Sequence, residues 1–151
     1  MIRLTRLTDY GILLLTTFAR TGGGKTRSAR DLSEEARLPL PTVSKLLKVL
    51  ARSGLLEAHR GVKGGFTLAR SPEQITVAEV IDALEGPIGV TECSSHDYGG
   101  GCGIVRTCIT RNHWMKINQA VLGALRGITL AEMARPSGEV PVELRIGARE
   151  K

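Results

Sequence analysis

Apolar residues recur at helical spacing in five stretches of this 151-residue chain, with two short strand-like runs between the third and fourth. In the first stretch Tyr10, Leu13, Leu14, Thr17 and Phe18 share a helical face, with Thr5 or Thr8 available as N-cap. Ala29, Leu32 and Ala36 define a second, shorter helix that Ser28 can cap. The Leu38-Pro39-Leu40 step breaks it, because the residue before a proline avoids the α region. A third helix opens with Pro41, whose missing N–H costs nothing in a first turn. Val43, Leu46, Leu47 and Leu50 form its inward stripe, and Gly54 falls where a left-handed cap is expected. The capping box Thr76-Val77-Ala78-Glu79 opens a fourth helix over residues 77–85, which should bury Val77, Val80, Ile81 and Leu84 before Gly86-Pro87 ends it. The last stretch begins near residue 104 and carries Trp114, Ile117, Val121, Leu125 and Ile128 at spacings of three and four. Thr129-Leu130-Ala131-Glu132 is a capping box for one more short turn.

The second and third helices, joined by a tight turn, make a helix-turn-helix. The outward face of the third carries Pro41, Thr42, Ser44, Lys45, Lys48 and Arg52, small polar and basic groups suited to base edges and phosphates. Leu55-Leu56-Glu57-Ala58-His59 and Phe66-Thr67-Leu68 then read as strands, with Arg60-Gly61-Val62-Lys63-Gly64-Gly65 as the hairpin tip. A cationic hairpin directly after a recognition-type helix is a wing, able to lie on a phosphate strand or to place an arginine in a minor groove. The predicted fold is mainly α with a small β wing: a winged helix-turn-helix plus a long C-terminal dimerisation helix. Helix-turn-helix units also occur in proteins that never touch DNA, and it is the cationic wing that favours DNA here.

The pattern divides the chain into a winged-helix domain over residues 1–86 and a cysteine-containing loop over 87–103, with a third cysteine at 108 where the next helix starts. A dimerisation helix and terminal turn follow over 104–134, then a flexible tail over 135–151. Once the winged-helix core has closed, the late amphipathic helix needs a partner. A second copy across a two-fold axis supplies one and matches a palindromic operator. The alternative is a helix that folds back on its own domain.

Charge sharpens the DNA reading. Of the net +6, residues 1–70 hold 13 Lys/Arg against 5 Asp/Glu, whereas residues 71–151 hold 8 against 10. The basic half is the half with the helix-turn-helix, as a polyanion-binding surface requires. Aromatics at 3% argue against base stacking on exposed rings. No apolar run reaches spanning length and no signal-peptide pattern is present, so a cytoplasmic protein without a membrane partner is expected. The glycines at 22–24 follow no strand, which argues against a phosphate loop. No nucleophile–base or carboxylate pair stands out, so neither an enzyme nor a small-molecule substrate is expected.

The chemistry-bearing residues are Cys93, Cys102 and Cys108, spaced Cys-x8-Cys-x5-Cys. An odd number fits reduced thiols better than an internal disulfide framework. Structural cysteines usually sit singly on apolar faces; these lie in or beside a Gly-rich loop whose backbone freedom lets several thiolates converge on one ion or cluster. Zinc ordinarily takes a closely spaced cysteine pair and two further ligands, a spacing absent here. Three thiolates plus one other ligand suit an iron–sulfur cluster at least as well.

Leu4-Thr5 and Thr8-Asp9-Tyr10-Gly11, then Arg60-Gly61 with Gly64-Gly65-Phe66 and Leu68, and finally three cysteines before a long helix, resemble the iron–sulfur-sensing winged-helix regulators. That group includes IscR, NsrR and the regulators of SUF cluster-assembly operons. Glu85-Gly86-Pro87-Ile88-Gly89-Val90-Thr91-Glu92-Cys93-Ser94, Trp114, Ile117-Asn118 and Thr129-Leu130-Ala131-Glu132-Met133 are most similar to the SUF regulators. The resemblance implies a homodimeric transcription factor, expected to be a repressor of cluster-assembly genes. It also implies one iron–sulfur cluster per subunit on Cys93, Cys102 and Cys108, a 2Fe–2S cluster ahead of a 4Fe–4S one, whose occupancy changes DNA affinity or operator choice. In IscR-like members a histidine three positions after the third cysteine is a ligand; here that position is Arg111, which cannot ligate. The fourth ligand is open among His113, His96, Glu92 and Asp9. If Cys108 starts the helix, His113 points about 140° away from it. Asp9 lies in a segment similar to one that supplies an oxygen ligand from the opposite subunit in some NsrR-like members. Its plainer role is to polarise the first helix.

The DNA-contacting candidates are Ser28, then Pro41, Thr42, Ser44, Lys45 and Lys48 on the recognition helix, and Arg60, Lys63 and Gly64 on the wing. The expected partners are double-stranded operator DNA and a second copy of the chain. The competing readings are a thiol or metal redox protein, a zinc-binding winged-helix regulator without an iron–sulfur cluster, and a winged-helix interaction module with no DNA target.

Overall fold

Thr5 caps α1 (Arg6–Arg20), its hydroxyl accepting the Thr8 N–H at 3.3 Å. Support also comes from far along the chain: a Glu85 carboxylate oxygen accepts the Thr5 N–H at 2.7 Å and the Thr8 hydroxyl. The buried arc of α1 is Thr8, Gly11, Leu14, Leu15, Thr17 and Phe18. It differs from the predicted face: Leu13 is 44% exposed and Tyr10 half-buried, while Gly11 and Leu15 turn inward. The arc is wide because α1 is packed by several later elements at once. A Cβ at Gly11 would stand 2.4 Å from Leu84 Cδ1, so glycine lets the two helices close up. These coordinates are a computed structural model that describes residues 3–22, 24–94 and 102–136. His96, the glycine run at 99–101 and the tail from 137 onward lie outside the described residues.

Ser28 and Asp31 form a reciprocal capping box at the start of α2 (Ala29–Ala36). The helix ends at Arg37, whose φ of 54° is left-handed. The recognition helix α3 (Leu40–Arg52) has Pro41 in its first turn and buries the predicted stripe of Val43, Leu46, Leu47 and Leu50. Gly54, at φ 75°, lets the chain reverse into the wing. There β1 (Leu56–His59) pairs antiparallel with β2 (Gly65–Leu68), in the register Leu56↔Leu68 and His59↔Gly65.

After a short 3-10 turn at Pro72–Gln74, α4 (Val77–Glu85) begins at the Thr76/Glu79 capping box. It buries Val77, Ala78, Val80 and Ile81; Leu84, expected inside, is half-buried at the α1 contact. A second 3-10 turn, Glu92–Ser94, precedes α5 (Arg111–Arg126), and α6 (Leu130–Met133) closes the described chain. The long helix therefore starts near its expected third turn, not at 104. Gly103 and the β-branched Ile104, Val105, Thr107, Ile109 and Thr110 explain the late start, since each disfavours helix relative to alanine or leucine. Residues 102–111 instead run through short turns, with Val105, Thr107 and Arg111 N–H groups bonded to the Cys102, Ile104 and Cys108 carbonyls. Cys108 thus precedes the helix.

The far end also differs. Ile128 lies past the end of α5, and its carbonyl accepts the Val77 N–H at 2.9 Å. The Leu130 N–H in turn bonds the Ile75 carbonyl at 2.8 Å. These two bonds draw α6 back to the start of α4, and Leu130 enters a core shared with Leu14, Leu15, Phe18, Leu32, Leu47, Leu50 and Ile75. The winged-helix fold with a small wing is borne out, and its core extends to the last turn. Among the described residues no helix is long and apolar enough to cross a membrane.

Candidate DNA interface and thiol site

Because Val43, Leu46, Leu47 and Leu50 hold α3 in the core, the opposite face must look outward. Pro41, Lys45, Lys48 and Arg52 are exposed there, Ser44 and Thr42 half-buried beside them. Pro41, Ser44, Lys45, Lys48, Val49 and Arg52 line one shallow groove along the helix. No side chain caps α3. A helix N-terminus of that kind is suited to a phosphate oxygen.

β1 packs against α3, which sets the wing beside the recognition helix. At the tip Arg60, Val62 and Lys63 are exposed, and Gly61 adopts φ 112°. Among the described residues Lys45, Lys48, Arg52, Arg60 and Lys63 form no ion pair; the two pairs present are Arg27–Glu35 and Arg70–Glu79. Five cations on the recognition helix and wing are thus unpaired with carboxylates among the described residues, the electrostatic footprint that a phosphate backbone neutralises.

Two candidates turn out to have structural work. The Ser28 hydroxyl is occupied by the Asp31 N–H at 3.2 Å. Gly64 is required by space: a Cβ there would lie 2.5 Å from the His59 carbonyl oxygen. Sequence reasoning missed Arg27, whose backbone N–H and C=O pair with Phe66 at 2.9 Å each, adding a third strand-like residue to the wing. Gly65 serves that contact, since a Cβ would meet the Arg27 carbonyl oxygen at 2.5 Å. One isolated bridging residue has no periodicity, so no pattern could have flagged it.

None of the three cysteines is in a disulfide, and each is half-buried. Cys93 sits in the 3-10 turn Glu92–Ser94, its sulfur 3.4 Å from the Thr91 hydroxyl. Cys108 lies just before α5. The Thr110 hydroxyl, 3.3 Å from its sulfur, holds the Cys108 thiol below the ordinary thiol range, aided by the Thr110 and Arg111 N–H groups and the Arg111 charge. Among the described residues no three His, Cys, Asp or Glu side chains are gathered as a metal-binding group. The donor set nevertheless suits an iron–sulfur cluster chemically: three cysteines outside any disulfide, the Cys108 thiol held below its ordinary range, beside a glycine-rich segment of the sequence.

Of the fourth-ligand candidates, Asp9 is exposed in the first turn of α1 and Glu92 is exposed next to Cys93. His113 is exposed in the first turn of α5. The angular objection to His113 falls away, because Cys108 is not on that helix. Asn118, buried in α5 and bonded to the Cys93 segment, is a further polar residue at this site that no spacing pattern in the sequence marks.

A winged helix with a cationic recognition face and wing defines a DNA-binding regulator. The sequence pattern of the Rrf2 family, described as an iron-dependent transcriptional regulator, matches residues 4–136, and the chain belongs to that family. IscR of Cronobacter sakazakii is 30% identical over 132 residues, covering 87% of this chain and 80% of that protein. Among solved structures, T. potens IscR matches with a TM-score of 0.68 at 25% identity over 93% of each chain. CymR (YrzC), the global cysteine regulator of B. subtilis, matches with a TM-score of 0.68 at 26% identity, over 89% of this chain and 97% of that one. Regulators of this family bind DNA and are not enzymes, as the motifs implied.

Proposed function

We propose that this chain is a cytoplasmic homodimeric repressor of iron–sulfur cluster assembly genes, whose grip on operator DNA is set by an iron–sulfur cluster on Cys93, Cys102 and Cys108. The observation that carries the reading is the set of three cysteines outside any disulfide that precede α5, in a family described as iron-dependent. Bound there, a cluster supplies redox chemistry and lability toward oxidants. A 2Fe–2S cluster is expected ahead of a 4Fe–4S one, with Asp9 of the partner subunit or His113 as fourth ligand. The second subunit would cover the apolar side chains that α5 leaves exposed, Trp114 and Ile117 among them.

On the DNA side, Thr42, Ser44 and Lys45 reach into the major groove, because they begin the recognition helix on its outward face. Lys48 and Lys63 neutralise phosphates, and Arg60 enters a groove or binds its edge. Anaerobic purification followed by absorption and Mössbauer spectra tests the cluster. Loss of the iron signal is expected in each of Cys93→Ser, Cys102→Ser and Cys108→Ser. Asp9→Ala and His113→Ala, reconstituted in parallel, identify the fourth ligand by which one shortens cluster lifetime. Gel shifts with operator and scrambled DNA test the contacts. Ser44→Ala should change the ratio between the two, and Arg60→Ala should weaken both.

A second reading has its own support. The activated Cys108 thiol and the likeness to CymR favour a metal-free regulator that responds through thiol chemistry. Iron-free protein whose operator binding still responds to oxidant, and loses that response in Cys108→Ser, would establish it instead.

A further inference from the structure

Asn118 is the one buried side chain of α5, at 4% exposure. Its Oδ1 accepts the Val90 N–H at 3.0 Å, and its Nδ2 donates to the Ser94 carbonyl at 2.9 Å and the Ile88 carbonyl at 3.3 Å. Two carbonyl partners require the NH2 group on that side, so the amide orientation is set by its surroundings. All three partners lie on residues 88–94, the segment that carries Cys93. That segment is also braced internally. The buried Ser94 hydroxyl donates to the Thr91 carbonyl at 2.8 Å and accepts the Thr91 N–H at 3.0 Å and the Thr91 hydroxyl at 3.1 Å. The same Thr91 hydroxyl approaches the Cys93 sulfur.

We infer that Asn118 is a positioning residue for Cys93, clamping residues 88–94 onto the middle of α5. Cys108 reaches the same helix by a different route, through its carbonyl bond to Arg111 at the helix start. Seven residues separate Arg111 from Asn118, about 10 Å along the axis. Chemistry at the two thiols therefore acts on α5 at two points, one at its end and one at its middle. α5 packs on α4, and α4 packs on the recognition helix α3, so a displacement of α5 has a contiguous route to the DNA face. An apolar residue at 118 could fill the space but could not hold three backbone groups, whose desolvation would then go uncompensated.

The inference rests on the proposal that Cys93 is a working thiol, but its test reads Cys93 whether or not a cluster ever forms. Reduced, metal-free, full-length protein is alkylated with iodoacetamide for timed intervals, and each cysteine is followed separately by peptide mass spectrometry. In Asn118→Ala the Cys93 rate should rise on the order of 10-fold, since the clamp's hydrogen bonds are gone, while Cys108 stays near its wild-type rate. Asn118→Asp keeps the size and the Val90 contact but loses both donated bonds; should the alanine variant fold poorly, the same selective rise is expected here. An unchanged Cys93 rate overturns the inference. So does an equal rise at all three cysteines, which would mean that Asn118 only supports the fold. A selective rise at Cys93 in a protein whose Cys93→Ser variant regulates normally would leave the clamp standing and refute the proposed role of the thiol.

Discussion

In the winged-helix half, the apolar stripes are covered: Leu14, Leu15, Phe18, Leu47 and Leu50 are fully buried against one another. In α5 the corresponding stripe is only partly covered. Trp114 is 37% exposed and Ile117 44%, Val121 and Leu125 are half-buried, and the one side chain that α5 buries is an asparagine. Capping divides the same way. α1, α2, α4 and α6 each receive a side-chain cap at the N-terminus, whereas α3 and α5 receive none. At α5 the Thr110 hydroxyl, which could cap the helix, lies instead against the Cys108 sulfur. Capped helices with buried stripes are satisfied within the chain. The two helices without a side-chain cap start at the surfaces proposed for DNA and for thiol chemistry, and at α5 the Arg111 and His113 N–H groups turn instead to the Cys108 and Thr110 carbonyls.

The largest test of that contrast is a pair of substitutions. Phe18→Ala should cost roughly 3–5 kcal/mol in urea denaturation, because it empties a fully buried site. Ile117→Glu should retain the helical circular dichroism signal and shift the sedimenting species from dimer to monomer. If Ile117→Glu unfolds the chain as Phe18→Ala does, α5 belongs to the core after all.

A mid-sized effect is expected at the wing. Gly65→Ala forces a methyl against the Arg27 carbonyl and should separate β2 from Arg27, lowering operator affinity by on the order of 10-fold with little change in the helical melt. Undiminished DNA binding would show that the third strand contact is dispensable. A smaller and opposite change is expected at Arg37, a non-glycine residue at φ 54°. Arg37→Gly relieves left-handed strain but adds unfolded-state entropy, leaving a net gain of about 1 kcal/mol at most in thermal or chemical denaturation. A loss of stability there would mean that the arginine side chain makes a compensating contact.

The smallest effect is a pH dependence at the α1–α4 junction. Glu85 is held below the ordinary carboxylate range by the Thr8 hydroxyl and then by the Thr5 N–H. A depressed folded value means the ionised form stabilises the fold above the unfolded pKa, and that contribution disappears as pH falls through the folded value. Glu85→Gln should therefore melt about a degree below wild type at pH 7, and the two proteins should converge as pH drops under about 4. A constant gap across that range would show that the charge is not what Thr5 and Thr8 recognise.

Local chemistry made much of the winged helix legible. The three capping boxes or caps at Thr5, Thr76 and Thr129 depend on residues within three positions, and the α3 stripe depends on helical period alone. At the start of α5 apolar spacing and helix propensity disagree, and the poor propensity of residues 103–110 prevails. The buried arc of α1 is wider than its period alone suggests because several later elements pack around it, Leu84 lying against Gly11 among them. The thiol site was legible as a set of residues but not as an arrangement, since its members come from separate turns joined by a segment without periodicity.

By itself the sequence determined where every helix but α5 begins, which face of α3 is polar and basic, and which three residues can offer thiolates, because each follows from neighbours within a turn or two. The tertiary structure decided what had no local cause. It brought Glu85 to cap α1 from 80 residues away, paired Arg27 with Phe66, returned Leu130 to the core through Ile75, and turned Asn118 into the link between α5 and Cys93. Each of these satisfies a buried or terminal polar group, or closes an apolar surface, with a partner distant in the chain. Hydrogen-bond satisfaction and burial are properties of the packed whole, which no window of sequence contains.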